Sequence, residues 1–169
     1  MEESRGKYNN DTSELRRIEA SSAGFTGDEQ TARRLTDDAV AKVRAAAFAA
    51  LVRLGAATPD DIRRALSDPS PIVRRGACEL ARSLSGTAFD ALLDDIDASV
   101  VEAAAFAVGE TGDRRATKRL AEIASTHSDP LCRESAVAAL GSLGDPAGKA
   151  AVLAALDDVA TVRRRAVIA

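Results

Sequence analysis

Asp129 to Gly144 reads DPLCRESAVAALGSLG. Apolar or small residues stand at Cys132, Ala136, Leu140 and Leu143. That spacing puts them on one stripe of a helix. Gly144 follows the last turn, where glycine accepts the left-handed conformation that ends a helix. The stretch therefore reads as an amphipathic helix with a defined stop.

Versions of it recur. Aligned on the first apolar residue, the anchors are Val43, Val73, Val100, Cys132 and Val162, spaced by 30, 27, 32 and 30 residues. A period of this length marks stacked helical hairpins, each burying its apolar face against its neighbours. Five residues before the anchor stands Asp38, Asp68, Asp95 or Asp157. In the fourth copy two readings stand: His127 holds that place, or a shorter turn gives it to Asp129. One residue after the anchor comes Arg44, Arg74, Arg133 or Arg163, with Val101 in the third copy. Four after it comes Ala47, Ala77, Ala104, Ala136 or Ala166, small enough for helices to approach closely. The stops are Gly55, Gly112 and Gly144, with Ser85-Gly86 in the second copy.

VRAAAFAALVRLG (43–55), VRRGACELARSLS (73–85), VVEAAAFAVGETG (100–112) and CRESAVAALGSLG (132–144) resemble the short HEAT-like repeats of the phycobilisome-lyase type. The resemblance covers roughly residues 28–169. It implies an all-α α-solenoid of about five hairpins, near 28–55, 58–85, 87–112, 113–144 and 145–169. At roughly 10 Å per layer the curved right-handed stack would be about 50 Å long. It also implies that the second helices line the concave face and that the turn Asp and Arg residues form a structural ladder. The family includes chromophore-attachment subunits, hydroxylases, reductase appendages and binding scaffolds.

Within the repeats, Thr58-Pro59-Asp60-Asp61 is a strong helix start, with a Thr cap, Pro at the first position and acids in the first turn. Repeat one has its helices near 28–37 and 39–54, and repeat four has the longest first helix, near 113–126. Residues 1–27 are expected to be a polar arm. Residues 1–10 read as a flexible tail, 11–20 as a short capping helix and 21–27 as a loop containing Phe25. The fifth second helix stops at Ala169 without a Gly stop, and two readings of Val167 and Ile168 stand: a frayed last helix, or an open apolar end that meets another subunit or partner.

Composition bounds the function. Hydrophobic residues make up 46% and aromatics only 3%, so the core is built from Ala, Leu, Val and Ile. Net charge is −3, which argues against general affinity for phosphate backbones. No stretch is apolar enough to span a membrane. Cys78 and Cys132 fall on apolar positions two repeats apart, too far for a disulfide. Two buried thiols suit a cytoplasmic setting.

Candidate chemistry reduces to structure. The acid pairs Asp37-Asp38, Asp94-Asp95 and Asp157-Asp158 sit at one point of the repeat, beside the turn, where they suit capping and ion pairs rather than acid–base or metal chemistry; Asp60-Asp61 opens a first helix. His127 is the only histidine. It is too little for a histidine-rich metal centre or a nucleophile–base pair. No catalytic residue, metal or cofactor is expected.

The expected function is non-catalytic protein binding along the concave face. Its centre would be Arg75, Glu79, Arg82 and Phe106, with Arg53, Glu110 and Glu134 on the rim. Two readings of Phe106 stand. It occupies the place of Glu79 and faces the groove, or the helix is rotated and it is buried as Phe48 is expected to be. Two other functions follow from resemblance: a subunit of a tetrapyrrole (bilin) chromophore lyase or isomerase, and a nucleic-acid scaffold of the DNA-glycosylase kind, which the net charge and absence of Trp oppose.

Overall fold

The structure is a computed structural model that describes residues 2–81 and 89–169. Its regular elements among those residues are all helical. Two compact units divide the chain, 1–81 and 82–169. Each is a run of stacked helical hairpins, the building pattern of an α-solenoid.

The first unit holds α1 (Glu2–Thr26), α2 (Glu29–Leu35), α3 (Ala41–Leu54), α4 (Pro59–Leu66) and α5 (Pro71–Ala81). Its core runs in layers. Ala20, Leu35, Val43 and Ala47 form one cluster, and Ala23, Ala32, Ala50 and Leu51 the next. Phe48, Ala65, Val73 and Ala77 form a third. The expected helix pairs of repeats one and two are present. Thr58 accepts from the Asp61 N–H at 3.2 Å while the Asp61 carboxylate accepts from the Thr58 N–H at 2.9 Å, a complete capping box.

The N-terminal segment departs from expectation. It is one helix to Thr26, not a tail, a short helix and a loop over 21–27. Tertiary packing overrides its weak apolar pattern. Ala20 and Ala23 are buried in the same clusters as α2 and α3 residues. A Cβ at Gly24 would lie 2.9 Å from the Ala50 Cα, so the α1 and α3 backbones nearly touch there. Arg16 binds Asp38 through Nε at 2.7 Å and Nη2 at 3.2 Å. Gly27, at φ +82°, ends the helix. Counted from Leu15, Arg16 and Gly27 fall where Arg44 and Gly55 fall counted from Val43. The segment is thus built in the register of a second helix. Leu15 is 63% exposed, whereas Val43, its counterpart, is wholly buried beside Leu35 of α2.

The second unit begins with a 3-10 turn (Asp90–Asp94) and continues with α6 (Ala98–Thr111), α7 (Thr117–Thr126), α8 (Pro130–Leu143), α9 (Lys149–Ala154) and α10 (Ala160–Ile168). α8 is central: α6, α7 and α10 all pack against it. The first helix of repeat four is shorter than expected, because Arg114–Ala116 form a 3-10 turn before α7. The Ser85-Gly86 stop lies outside the described residues.

α6 and α8 meet through small residues. A Cβ on Gly109 would lie 2.9 Å from the Ala139 Cα. Gly109 stands nine residues after its anchor, as Gly24 does after Leu15. The same close approach is therefore used in both units.

Candidate functional site

Within each unit two surfaces carry the polar residues singled out by sequence: the edge formed by the turns within its hairpins, and the exposed face of its second helices.

The turn edge is dense in internal ion pairs and hydrogen bonds. Arg44 grips Asp68 through Nε at 2.8 Å and Nη2 at 2.7 Å. Arg133 grips Asp158 through Nε and Nη2, both at 2.7 Å. Each of these arginines also staples its own turn. Arg44 Nη1 donates to the Asp38 carbonyl at 2.9 Å, and Arg133 Nη1 to the His127 carbonyl at 2.8 Å. Fork geometry explains why arginine stands here, since it satisfies a carboxylate and a carbonyl together.

The acids serve twice as well. Asp38 accepts from the Val40 N–H at 2.8 Å and Asp68 from the Ser70 N–H at 2.8 Å. Asp95 does the same with the Asp97 N–H at 2.9 Å. In the fourth copy His127 Nδ1 accepts from the Asp129 N–H at 3.1 Å, so His127 holds the place of the turn Asp. Asp129 instead caps α8 at the Leu131 N–H, 2.8 Å away. In the fifth copy the ladder acid is Asp158 rather than Asp157. The turn is one residue shorter, and Asp158 accepts from the Val159 N–H at 2.6 Å.

Asp37 and Asp94, the first acids of their pairs, and Asp61, the second of its pair, form a further set of ties. Asp37 pairs with Arg64 of α4, and Asp94 with Arg119 of α7 at 2.6 Å. Asp61 pairs with Arg33 at 3.0 Å. The ladder bonds shift the titrations of Asp38, Asp68 and Asp158. The Arg16 hydrogen bond holds Asp38 below the usual carboxylate range, and the Arg133 hydrogen bond does the same for Asp158. Burial pushes Asp68 upward, but the bonds from Arg44 and the Ser70 N–H outweigh it and leave Asp68 lowered. A cleft of about 420 Å³ opens on this edge in the first unit, floored by Phe48, Ala65 and Val73. The acids on its rim, Asp37, Asp38, Asp61 and Asp68, are the ion-paired ones just described.

Cys78 and Cys132 are both buried thiols. Cys132 donates to the Ala98 carbonyl at 3.1 Å, and burial, with the Asp129 and Glu102 carboxylates near it, pushes its pKa up to about 11. A thiol so placed is a core residue and a poor nucleophile.

The second-helix face differs. In the first unit Arg75 and Glu79 are half exposed and bind each other at 2.9 Å, one helical turn apart. Arg53 is less available than expected, because its guanidinium stacks on the Phe25 ring at 4.1 Å from the centroid. Arg82 lies outside the described residues.

In the second unit Phe106 is 43% exposed, while Phe48 is only 3% exposed. The rotated-helix reading of Phe106 is therefore wrong. The sixth residue after the anchor points outward in α6, and the fifth, Phe48 in α3, points in. Glu102, Phe106 and Glu110 follow one another at four-residue steps, about 6 Å each along the helix. Alongside on α8 stand Glu134, half-buried and 3.3 Å from Arg165 of α10, and Leu131, 59% exposed. Glu102 touches α8 directly, accepting from Ser135 Oγ at 3.4 Å. Leu131 escaped the sequence reading because it precedes its anchor, outside the apolar stripe used for alignment. The signal was its sharing of one α8 face with Glu134, three residues on.

No group of three or more His, Cys, Asp or Glu is arranged for a metal ion among the described residues. No described helix is long and apolar enough to cross a membrane. Comparison with known families matches residues 87–169 to HEAT repeats. The match supports the HEAT-like reading and leaves the phycobilisome-lyase type unsupported. Among curated proteins the comparison finds no match.

Proposed function

We propose that this chain, a HEAT-like repeat protein, is a non-catalytic scaffold that binds a protein through the exposed face of its second helices. HEAT repeats commonly serve as protein-interaction scaffolds and are generally not enzymes. The observation that carries the reading is Phe106. An alanine-rich helix with every other apolar large residue buried exposes its one aromatic between two carboxylates. Exposed aromatics ringed by polar groups are the usual energetic centres of protein interfaces. Leu131 is a second exposed apolar residue, on α8, and Arg75 with Glu79 offers a charged pair of the same register in the first unit.

The turn edge supports the assignment by contrast. Its charges are consumed in internal bonds, so an incoming partner would have to break them.

Site-specific photocrosslinking tests this. A benzoylphenylalanine placed at Phe106 in the source cell is expected to capture a discrete protein adduct. The same probe at Arg63, on α4, is expected to capture none. Adducts at Arg63 with none at Phe106 would move the binding surface to the first helices and end this reading.

A further inference from the structure

We infer that the partner of the α6–α8 face is a cationic peptide segment, one that lays the aliphatic stems of lysine or arginine on Phe106 and Leu131 and their charged heads on Glu102 and Glu110. The inference rests on the scaffold reading above and names the chemistry of its partner.

The charges of the two helices are one-sided. α6 reads ASVVEAAAFAVGET and contains no Lys or Arg. α8 contains a single cation, Arg133, and that guanidinium is held by Asp158 and by two turn carbonyls. The face therefore presents three carboxylates, Glu102, Glu110 and Glu134, with no cation of its own helices to meet them. Arg165 reaches across from α10 to Glu134 only. Glu110 is exposed, and Glu102 is half exposed with one long bond from Ser135 Oγ at 3.4 Å; neither meets a cation on α6 or α8.

The sign then reverses. Arg164 on α10 holds the register position that Glu102 and Glu134 hold on α6 and α8. A cationic segment is drawn to α6 and α8 and turned away from α10, which fixes where along the face it lies. Charges of this kind set orientation and partner choice more than raw affinity. The apolar contribution comes from long cationic side chains, which cover apolar surface with their stems while keeping their heads solvated. An acidic protein surface or a nucleic acid would meet uncompensated carboxylates here, at a cost that grows as salt is lowered.

The test is fluorescence polarisation with the full chain and three fluorescein-labelled amphipathic peptides that share a leucine face. Their polar faces are all arginine, all glutamine or all glutamate. The arginine peptide is expected to bind at least about tenfold more tightly than the glutamine peptide. The double variant Glu102→Gln, Glu110→Gln is expected to remove most of that advantage, and Glu122→Gln on α7 to keep it. Circular dichroism confirms that each variant stays helical. Equal binding of the three peptides, preference for the glutamate peptide, or an equal loss with Glu122→Gln would overturn the cationic partner. Phe106→Ser separates the two levels. If it weakens the glutamine peptide while the charge changes do nothing, the scaffold site stands and the cationic partner falls. If no peptide responds to Phe106→Ser, the site itself falls.

Discussion

The turn edge and the second-helix face are built from the same residue types and use them oppositely. At the edge Arg44–Asp68 and Arg133–Asp158 are bidentate, with side chains 10–17% exposed. On the face Glu102, Phe106 and Glu110 stand on a helix without a single cation. Edge charges join one hairpin to the next and close its turns. Face charges are tied more loosely: Glu102 takes one long bond from Ser135 and Glu134 one from Arg165, and Glu110 stands exposed. A charged residue in a repeat protein is thus read by whether its partner comes from within the stack.

That contrast can be broken most severely beneath the face. Gly109→Val puts side-chain atoms where Ala139 backbone already stands, 2.9 Å from the new Cβ. A loss of about 2–3 kcal/mol is expected, read by urea unfolding. A loss under about 0.5 kcal/mol would mean the helices can part at no cost, and the face would have no fixed geometry.

Next in size is the edge itself. Arg133→Ala leaves Asp158 and the turn carbonyls unsatisfied, at about 2 kcal/mol. Asp158→Ala should cost a comparable amount, and the double variant less than the sum, in the manner of coupled partners. Full additivity would mean the pair is a surface contact of no structural weight.

Acid should act on the edge as well. The Asp38, Asp68 and Asp158 carboxyls are lowered in the folded chain. A lowered carboxylate contributes stability above its unfolded pKa, near 3.9, and that contribution is lost as pH falls through and below it. Melting temperature is therefore expected to hold through neutral pH and drop below about pH 4. In Arg133→Ala the acid-induced drop should be smaller, since Asp158 has lost the bond that lowers it. An unchanged drop would assign the acid sensitivity elsewhere.

Smallest of all should be Glu110→Gln, within about 0.5 kcal/mol of wild type, because Glu110 is exposed and its carboxylate makes no ion pair among the described residues.

The sequence made the edge legible because its physics is local and periodic. An Asp before the turn, an Arg after the anchor and a Gly at the stop recur at fixed offsets, and each offset corresponds to a fixed set of hydrogen bonds. His127 fits the same logic, with an imidazole nitrogen taking the role of a carboxylate oxygen. The shift from Asp157 to Asp158 was hidden, since a one-residue change of turn length leaves no compositional mark. α1 was hidden for another reason. Its apolar residues Leu15, Ile18 and Phe25 are exposed, and what buries it is alanine and glycine, which give little periodic signal. Arg16, Gly24 and Gly27 carried the register, but only a comparison with the other second helices exposes it. On the face, Phe106 was found and its direction was not, because inward and outward positions differ there by one residue in an alanine-rich helix. Arg53 looked available as a charge and is occupied by Phe25 across the α1–α3 packing, a contact no linear pattern announces.

The most direct test of this division of labour compares two variants in one pair of assays. Phe106→Ser and Arg133→Ala are each measured for unfolding free energy in urea and for affinity toward the protein captured by the crosslinker at position 106. Phe106→Ser is expected to unfold within about 0.5 kcal/mol of wild type and to bind at least about tenfold more weakly. Arg133→Ala is expected to lose about 2 kcal/mol of stability and, while folded, to bind as wild type does. If Phe106→Ser instead unfolds the chain and leaves binding by the folded fraction unchanged, Phe106 belongs to the core and the second-helix face is not the binding surface.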